Sequence, residues 1–418
     1  MYQIFRVNKV VSLIPALALV FLSYTISSGQ KIKRAALREE MDSILLAHVD
    51  RGDIPGAVVQ IKKGKKRIHR QAYGYARLYD SQKRVLPDPE KMTVNHIFDL
   101  ASLTKVIGTT TALMWLVDHR QISLDDPVAK YLEAFNTPEK MGIRIRHLLS
   151  HSGGLYEWYP LYYRASSRAE SYSLIASLPL KYKLGEDRHY SDLGFVILGQ
   201  LIERVSGMTL DQFMEQKIFK PLGMRKTLYN PLRKKHFRKI AATSHGNPYE
   251  KRMVYDSTLG FQVKGIDPEA WNGWRTHTLM GEVNDGNAWY ANGGVSGAAG
   301  LFSTARDVQK VIDLILNHDQ VSPFISKKTF DSFLSKDQYK NGLGWMMDTT
   351  YSFIRGGPEG SFGHTGFTGT SIAVIPACNI SIVLLINRQH TGLSDQGLYY
   401  NVGPIREQVF KAVLKYCR

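Results

Sequence analysis

The chain has 418 residues, 44% hydrophobic and 11% aromatic, with 54 Lys and Arg against 37 Asp and Glu for a formal charge of +17. This length and apolar content exclude a disordered chain and leave room for one large domain or two to three smaller ones. Two cysteines, Cys378 and Cys417, exclude a disulfide framework or a cysteine metal centre and allow at most one bridge.

Residues 1–30 begin with Arg6 and Lys9 and run apolar from Val10 to Leu22. Small and polar residues follow at Ser27-Ser28-Gly29, and no acidic residue precedes Glu39. This is the pattern of a cleaved secretory signal or, if uncleaved, of a short N-terminal anchor. It predicts a secreted or periplasmic protein, tethered to the membrane if the segment stays on. Positions 35–49 then show helical spacing, with Leu37, Met41, Leu45 and Leu46 on one side. Positions 56–76 read as a β-hairpin with its tip at Gly64.

The next stretch is Ser102-Leu103-Thr104-Lys105, followed by Val106, Ile107, Thr110, Leu113, Met114 and Val117 at helical spacing. Ser102 therefore starts a buried helix, and Lys105 lies one turn on, on the same face. A serine beside an amine at a helix start is the arrangement of an activated nucleophile, with unpaired N–H groups facing a developing oxyanion. By itself S-x-x-K is a weak signal. Ser102 also fits a plain N-cap, and a second match occurs at Ser28 to Lys31.

A short helix is expected over 143–149, a helix from Tyr190 to a stop at Gly207, and another over 209–219. Positions 225–290 show little periodicity and read as long loops over a functional rim. A flexible loop, 293–300, precedes a helix over 304–316. Strands are expected at 342–345, 362–365, 370–375 and 380–386, with a closing helix over 402–416. Strands at both ends around a helical middle predict one antiparallel sheet built from both termini, an α/β (α+β type) fold. In this division the sheet parts are about 35–100 and 340–418, and the helical region is about 101–339.

Three stations fall in order: Ser102-Leu-Thr-Lys105, Tyr190-Ser-Asp192 and His364-Thr365-Gly366. With them come Ile145-Arg146-His147-Leu148-Leu149-Ser150-His151-Ser152-Gly153-Gly154 and Gly300-Leu301-Phe302-Ser303-Thr304. Over about 35–418 the chain resembles the serine β-lactamase and penicillin-binding-protein superfamily, and is most similar to its class C-like branch of D-alanyl peptidases and esterases. The resemblance implies Ser102 as the acylated nucleophile, Lys105 with a lowered pKa to hold or accept its proton, and Tyr190 as general base or acid. It implies Asp192, His364, Thr365, Gly366 and Phe367 as substrate-binding residues, with the N–H groups of Ser102 and of Phe367, on the edge strand, as the oxyanion hole. Gly366 would let substrate approach that strand closely.

Three departures stand out. Asp192 replaces the more usual Asn, where a carboxylate could pair with Lys105. Asn284 and Ala298 stand where close relatives often carry His. Strict Y-x-N matches at Tyr290 and Tyr399 are alternatives to Tyr190. The implied activity is exported acyl-enzyme hydrolysis of a β-lactam, D-alanyl peptide or small ester by a monomer. A weakly active or inactive family member that binds or senses cell-wall peptides or β-lactams is the alternative.

No cofactor is expected. His147 and His151 sit at i and i+4 without a third ligand or an H-E-x-x-H pattern, and are read as structural rather than as a metal site. Basic runs at Lys62 to Arg67 and Arg233 to Lys239 read first as a solvated tip and loop. The alternative is contact with a cell-wall or membrane surface. No nucleic-acid-binding pattern accompanies them, which excludes nucleic acid as a partner.

Overall fold

The apolar runs near the two chain ends form one sheet. The computed structural model describes residues 34–234, 237–317 and 324–417, so the leader-like segment read at 1–30 lies outside the described residues. The strands are β1 (Gly56–Lys63), β2 (Lys66–Tyr79), β3 (Val85–Lys91), β4 (Phe98–Asp99), β5 (Leu228–Tyr229), β6 (Leu301–Ser303), β7 (Phe362–Thr365), β8 (Ser371–Ile375) and β9 (Ile380–Ile386). The main sheet runs β3-β2-β1-β9-β8-β7. All its neighbours are antiparallel, and Val59 of β1 lies opposite Leu384 of β9.

Both faces of this sheet are covered, which is why β9 is apolar at six of its seven positions rather than alternating. On one face Val59, Ile61, Ile375, Ile382 and Leu384 pack against Leu37, Met41 and Leu45 of α1 (34–50) and against the closing helix. On the other, Val58, Ile372, Val374, Val383 and Leu385 pack against the helical region. Leu46 of α1 is 43% exposed, outside the core-facing side expected for it. The remaining helices are α2 (Thr111–Asp118), α3 (Ile145–Leu149), α4 (Arg168–Ser177), α5 (Asp192–Ser206), α6 (Leu210–Phe213), α7 (Pro248–Tyr255), α8 (Ala305–Leu316), α9 (Lys327–Leu334) and α10 (Gly403–Leu414). Cys378 and Cys417 are joined, tying the turn between β8 and β9 to the end of α10.

Four expected elements differ. The helix after Ser102 enters α2 through a π-helical turn, Lys105–Thr110. The 209–219 helix likewise divides into α6 and a π-helical turn, Met214–Phe219. No strand forms at 342–345; Met346 makes only an isolated bridge to Gly363. The region read as long loops contains α7, whose apolar positions are too few to show a period. β3 went unread because its residues, Val-Leu-Pro-Asp-Pro-Glu-Lys, bury no face. The short β4-β6-β5 sheet places two strands, β5 and β6, inside the stretch read as helical, and β4 ends three residues before Ser102.

Candidate active site

Ser102 sits on a bent turn rather than on a regular helix start. Ala101 has φ +45°, a left-handed conformation that costs a non-glycine residue about 1–2 kcal/mol. Surrounding hydrogen bonds hold it there. Asp99 accepts the N–H of Ala101 at 2.9 Å and that of Asn284 at 2.7 Å. Thr368 and Thr370 donate their hydroxyls to the carbonyls of Asp99 and Leu100, at 2.8 and 3.0 Å. Burial pushes the Asp99 carboxyl up to about 6, against the pull of those two N–H donors. The N–H groups of Leu103, Thr104 and Lys105 go to the carbonyls of Leu100, Ala101 and Ser102 at 2.9–3.0 Å. The free donors expected at the helix start are therefore used up past Ser102 itself.

Lys105 is 1% exposed. Its ammonium lies 3.1 Å from Ser102 Oγ, donates to the carbonyl of Ala298 at 2.9 Å, and pairs with Asp192 Oδ1 at 2.7 Å. Burial alone would lower its pKa, but the charge of Asp192, then that of Tyr190, outweighs burial and raises it. This corrects the lowered pKa expected of a lysine base: the Asp192 carboxylate, in place of Asn, keeps Lys105 a cation. Position 298 meets the lysine through its backbone carbonyl, so the polar group there does not depend on a side chain.

Tyr190 immediately precedes Ser191, the N-cap of α5, whose hydroxyl accepts the Gly194 N–H at 3.1 Å. The helix thus starts at Asp192, two residues later than expected, and Asp192 occupies its first turn. Tyr190 shares the cavity with Ser102, and Lys105 Nζ lies 5.2 Å from its ring centroid. Burial raises the pKa of Tyr190, opposed by the Lys105 charge. His151 accepts the Ser191 N–H at 3.0 Å, and its ring stacks on Tyr190 at 4.4 Å between centroids. Sequence reasoning set His151 aside as structural. Its place one residue before Ser152-Gly153-Gly154 was the signal, but the ring it supports is read only in three dimensions. Of the alternative tyrosines, Tyr290 is turned to Asn247, which it hydrogen-bonds at 2.8 Å, and Tyr399 lines the same cavity as Ser102, with its ring 6.0 Å from that of Phe367.

The third station behaves differently. His364, in β7, is 2% exposed, and its Nδ1–H donates to the carbonyl of Thr365 at 2.9 Å. Its Nε2 is buried with no hydrogen-bond partner among the described residues. Burial, then the Lys105 charge, lowers its pKa to about 3, so it is neutral at physiological pH and cannot serve as a cation for a carboxylate. Thr365 ends β7 opposite Ser371. At Gly366 a Cβ would lie 2.1 Å from Thr370 Oγ1 and 2.5 Å from the Leu100 carbonyl, so the glycine lets this turn pack on the Ser102 turn rather than on substrate. Phe367 lies in the turn after β7, not on the strand as expected, and its ring is 42% exposed.

A cavity of about 290 Å³ opens on Ser102 and is lined also by Tyr190, Asp192 and Phe367. Ser102, Lys105, Tyr190 and Asp192 converge; His364, Thr365 and Gly366 stand behind the cavity wall. The structure adds Trp158, Tyr249, Glu250, Phe261 and Asp285 to the lining. Most come from the region read only as rim. Asn284 also lines the cavity, its side chain accepting the Ser244 hydroxyl at 2.7 Å.

A serine that meets a buried lysine close to a tyrosine, beside an antiparallel sheet flanked by helices, defines a penicillin-binding-protein-like architecture. The chain belongs to the Beta-lactamase family, whose model matches residues 36–405. It is 35% identical over 363 residues to an "N-acetylmuramyl-L-alanine amidase" of Bacillus subtilis, covering 82% of this chain and 79% of that one. It is 34% identical over 381 residues to a "Putative D-alanyl-D-alanine carboxypeptidase" of Escherichia coli K12, covering 85% and 83%. Among solved structures, EstCE1, "a hydrolase with promiscuous acyltransferase activity", superposes with a TM-score of 0.66 at 22% identity, covering 91% of this chain and all of that one. An octameric penicillin-binding protein homologue from Pyrococcus abyssi gives 0.64 at 21% identity, covering 90% and 77%. The chain is thus a β-lactamase-family hydrolase with a small-molecule or peptide substrate.

Proposed function

We propose that this chain is an exported serine hydrolase that works through an acyl-enzyme on cell-wall peptide amides, β-lactams or small esters. One observation carries the reading: Lys105 Nζ lies 3.1 Å from Ser102 Oγ and 5.2 Å from the centre of the Tyr190 ring, so serine, lysine and tyrosine meet in one place. Ser102 Oγ attacks the carbonyl carbon. Tyr190 takes the serine proton as it gives its own to the departing nitrogen or oxygen, so no phenolate accumulates. This suits a phenol whose pKa is raised. The Lys105 ammonium stabilises negative charge building on the two hydroxyl oxygens. The N–H groups of Ser102 and Phe367 would hold the oxyanion, each donor worth about 3–4 kcal/mol in the transition state. Water then retraces the path and releases the acyl group.

The amidase and carboxypeptidase names of the relatives support a cell-wall peptide as substrate. Export is supported by the leader pattern of residues 1–30 and by the Cys378–Cys417 bridge, which suits an oxidising compartment. In this reading the enzyme is a monomer, and its basic hairpin tip faces an anionic cell-wall or membrane surface. Ser102→Ala should lower turnover of a p-nitrophenyl ester by on the order of 10⁶ and abolish covalent labelling by a fluorophosphonate, with the fold intact. Labelling that persists in the Ala variant places the nucleophile elsewhere.

A further inference from the structure

The cavity walls carry one sign of charge. Four carboxylates line it, Glu157, Asp192, Glu250 and Asp285, and none of the lining residues is Lys, Arg or His. Nearby cations are already engaged, and Lys105 is the one among them that meets the Ser102 hydroxyl, at 3.1 Å. Lys105 is paired with Asp192 at 2.7 Å, and Lys181 with Glu157 at 2.7 Å. Arg275 donates to Asn247 at 3.1 Å and to the Val283 carbonyl at 2.8 Å. Arg388 donates to the Phe367 carbonyl at 2.9 Å, and Arg406 to the carbonyls of Gly366 and Thr370 at 3.1 and 3.0 Å. Glu250 and Asp285 lack a lysine or arginine partner of this kind. They are held by backbone instead, Glu250 Oε2 by the Gly286 N–H at 2.8 Å and Asp285 Oδ1 by the Ala288 N–H at 2.7 Å. Burial, then the Asp285 charge, pushes the Glu250 carboxyl up to about 8, and burial, then the Asp192 charge, raises that of Asp285, so the two hold one proton and carry a single negative charge between them at neutral pH.

From this arrangement we infer that Glu250 and Asp285 are specificity-determining residues that reject substrates with a carboxylate flanking the scissile bond and admit neutral or ammonium-bearing ones. The inference rests on Ser102 being the nucleophile of this cavity. It narrows the substrate class: an amide or ester with uncharged flanks fits, whereas a free C-terminal D-alanine or a penicillin carboxylate meets repulsion. His364 supplies no counter-charge, since it is neutral and lies behind the wall. Like charges brought together out of water cost enough to set a preference well above tenfold.

The test compares p-nitrophenyl hexanoate with mono-p-nitrophenyl adipate, equal in chain length but differing by a terminal carboxylate. Background hydrolysis is measured with Ser102→Ala. The wild-type kcat/KM should favour the neutral ester by at least about tenfold, and the double variant Glu250→Gln with Asp285→Asn, which removes the charge the pair shares, should shrink that ratio by threefold or more. Each carboxamide keeps an oxygen for the backbone N–H it now serves. A measurement needing no variant runs alongside: hexylammonium should inhibit neutral-ester turnover at a lower concentration than hexanoate. Equal or better use of the adipate ester, a ratio unmoved by the substitutions in folded protein, or stronger inhibition by hexanoate overturns the inference. Ester turnover and fluorophosphonate labelling that persist in Ser102→Ala refute the nucleophile assignment instead.

Discussion

The two sides of the Ser102 turn use polar residues in opposite ways. On the helix side, Lys105 and Asp192, with Tyr190 beside them, form a charged, hydrogen-bonded group at the serine hydroxyl. On the strand side, His364 is neutral and buried, Gly366 is a space-saver, and Thr368 and Thr370 tie backbone to backbone. Both sides carry family motifs, yet in the mechanism we propose one holds the chemistry and the other holds the position of the nucleophile. Motif membership therefore does not fix a residue's physical role; its burial and its charged neighbours do.

The largest expected difference lies on the helix side. Tyr190→Phe keeps the ring on His151 and removes only the hydroxyl, so kcat/KM should fall by about 10²–10⁴ with little change in melting temperature. Lys105→Ala should cost a similar factor. It leaves Asp192, whose side chain is 27% exposed, free to be hydrated. The double variant should be little worse than the worse single one, because residues that act as a unit are not additive. Multiplicative losses in stopped-flow or steady-state assays would show that the two act separately and would divide the helix side into independent parts.

Gly366→Ala probes the strand side. The new Cβ meets Thr370 Oγ1 and the Leu100 carbonyl, so the Thr370–Leu100 hydrogen bond has to open. Overpacking of this kind costs about 1–3 kcal/mol of stability. The rate should fall too, because the Ala101–Ser102 turn shifts while every helix-side group stays in place. Thermal melts and kcat/KM measured together decide it. Stability lost with the rate kept would mean that the strand side does not position the serine.

What could be read from sequence divides along the same line. The one-turn spacing of Ser102 and Lys105 is a local property of helix geometry, and so are the apolar runs of β1, β8 and β9. The direction of the Lys105 pKa depends on Asp192, a distant residue that reaches it only through packing of α5. The neutrality of His364 depends on burial and on the Lys105 charge, neither visible in a strand pattern. Glu250 and Asp285 lie in the stretch whose weak periodicity showed only that a rim existed. Their shared wall needs α7 and the turn at 285–288 to be placed side by side. The bent Ala101 was illegible for a different reason: alanine is a poor choice for positive φ, and it is tolerated because Asp99 of β4 and Thr368 and Thr370 of the turn between β7 and β8 fix its neighbours.

The smallest expected effect sharpens the helix side further. Ser191 caps α5 through its hydroxyl, which also donates to the Tyr156 carbonyl at 2.6 Å. Its backbone N–H separately donates to His151, whose ring supports Tyr190. Ser191→Ala removes the first set and leaves the second. Loss of an N-cap is typically worth about 1 kcal/mol, which in a domain this large moves the melting temperature by about 2 °C or less. If stacking on His151 and the backbone contact set the Tyr190 hydroxyl, kcat/KM should fall by less than about tenfold, equivalent to 1.4 kcal/mol of barrier. A loss as large as that of Tyr190→Phe would mean that the cap itself positions the hydroxyl, and that the start of α5, rather than the aromatic stack, orients the proton-transfer group.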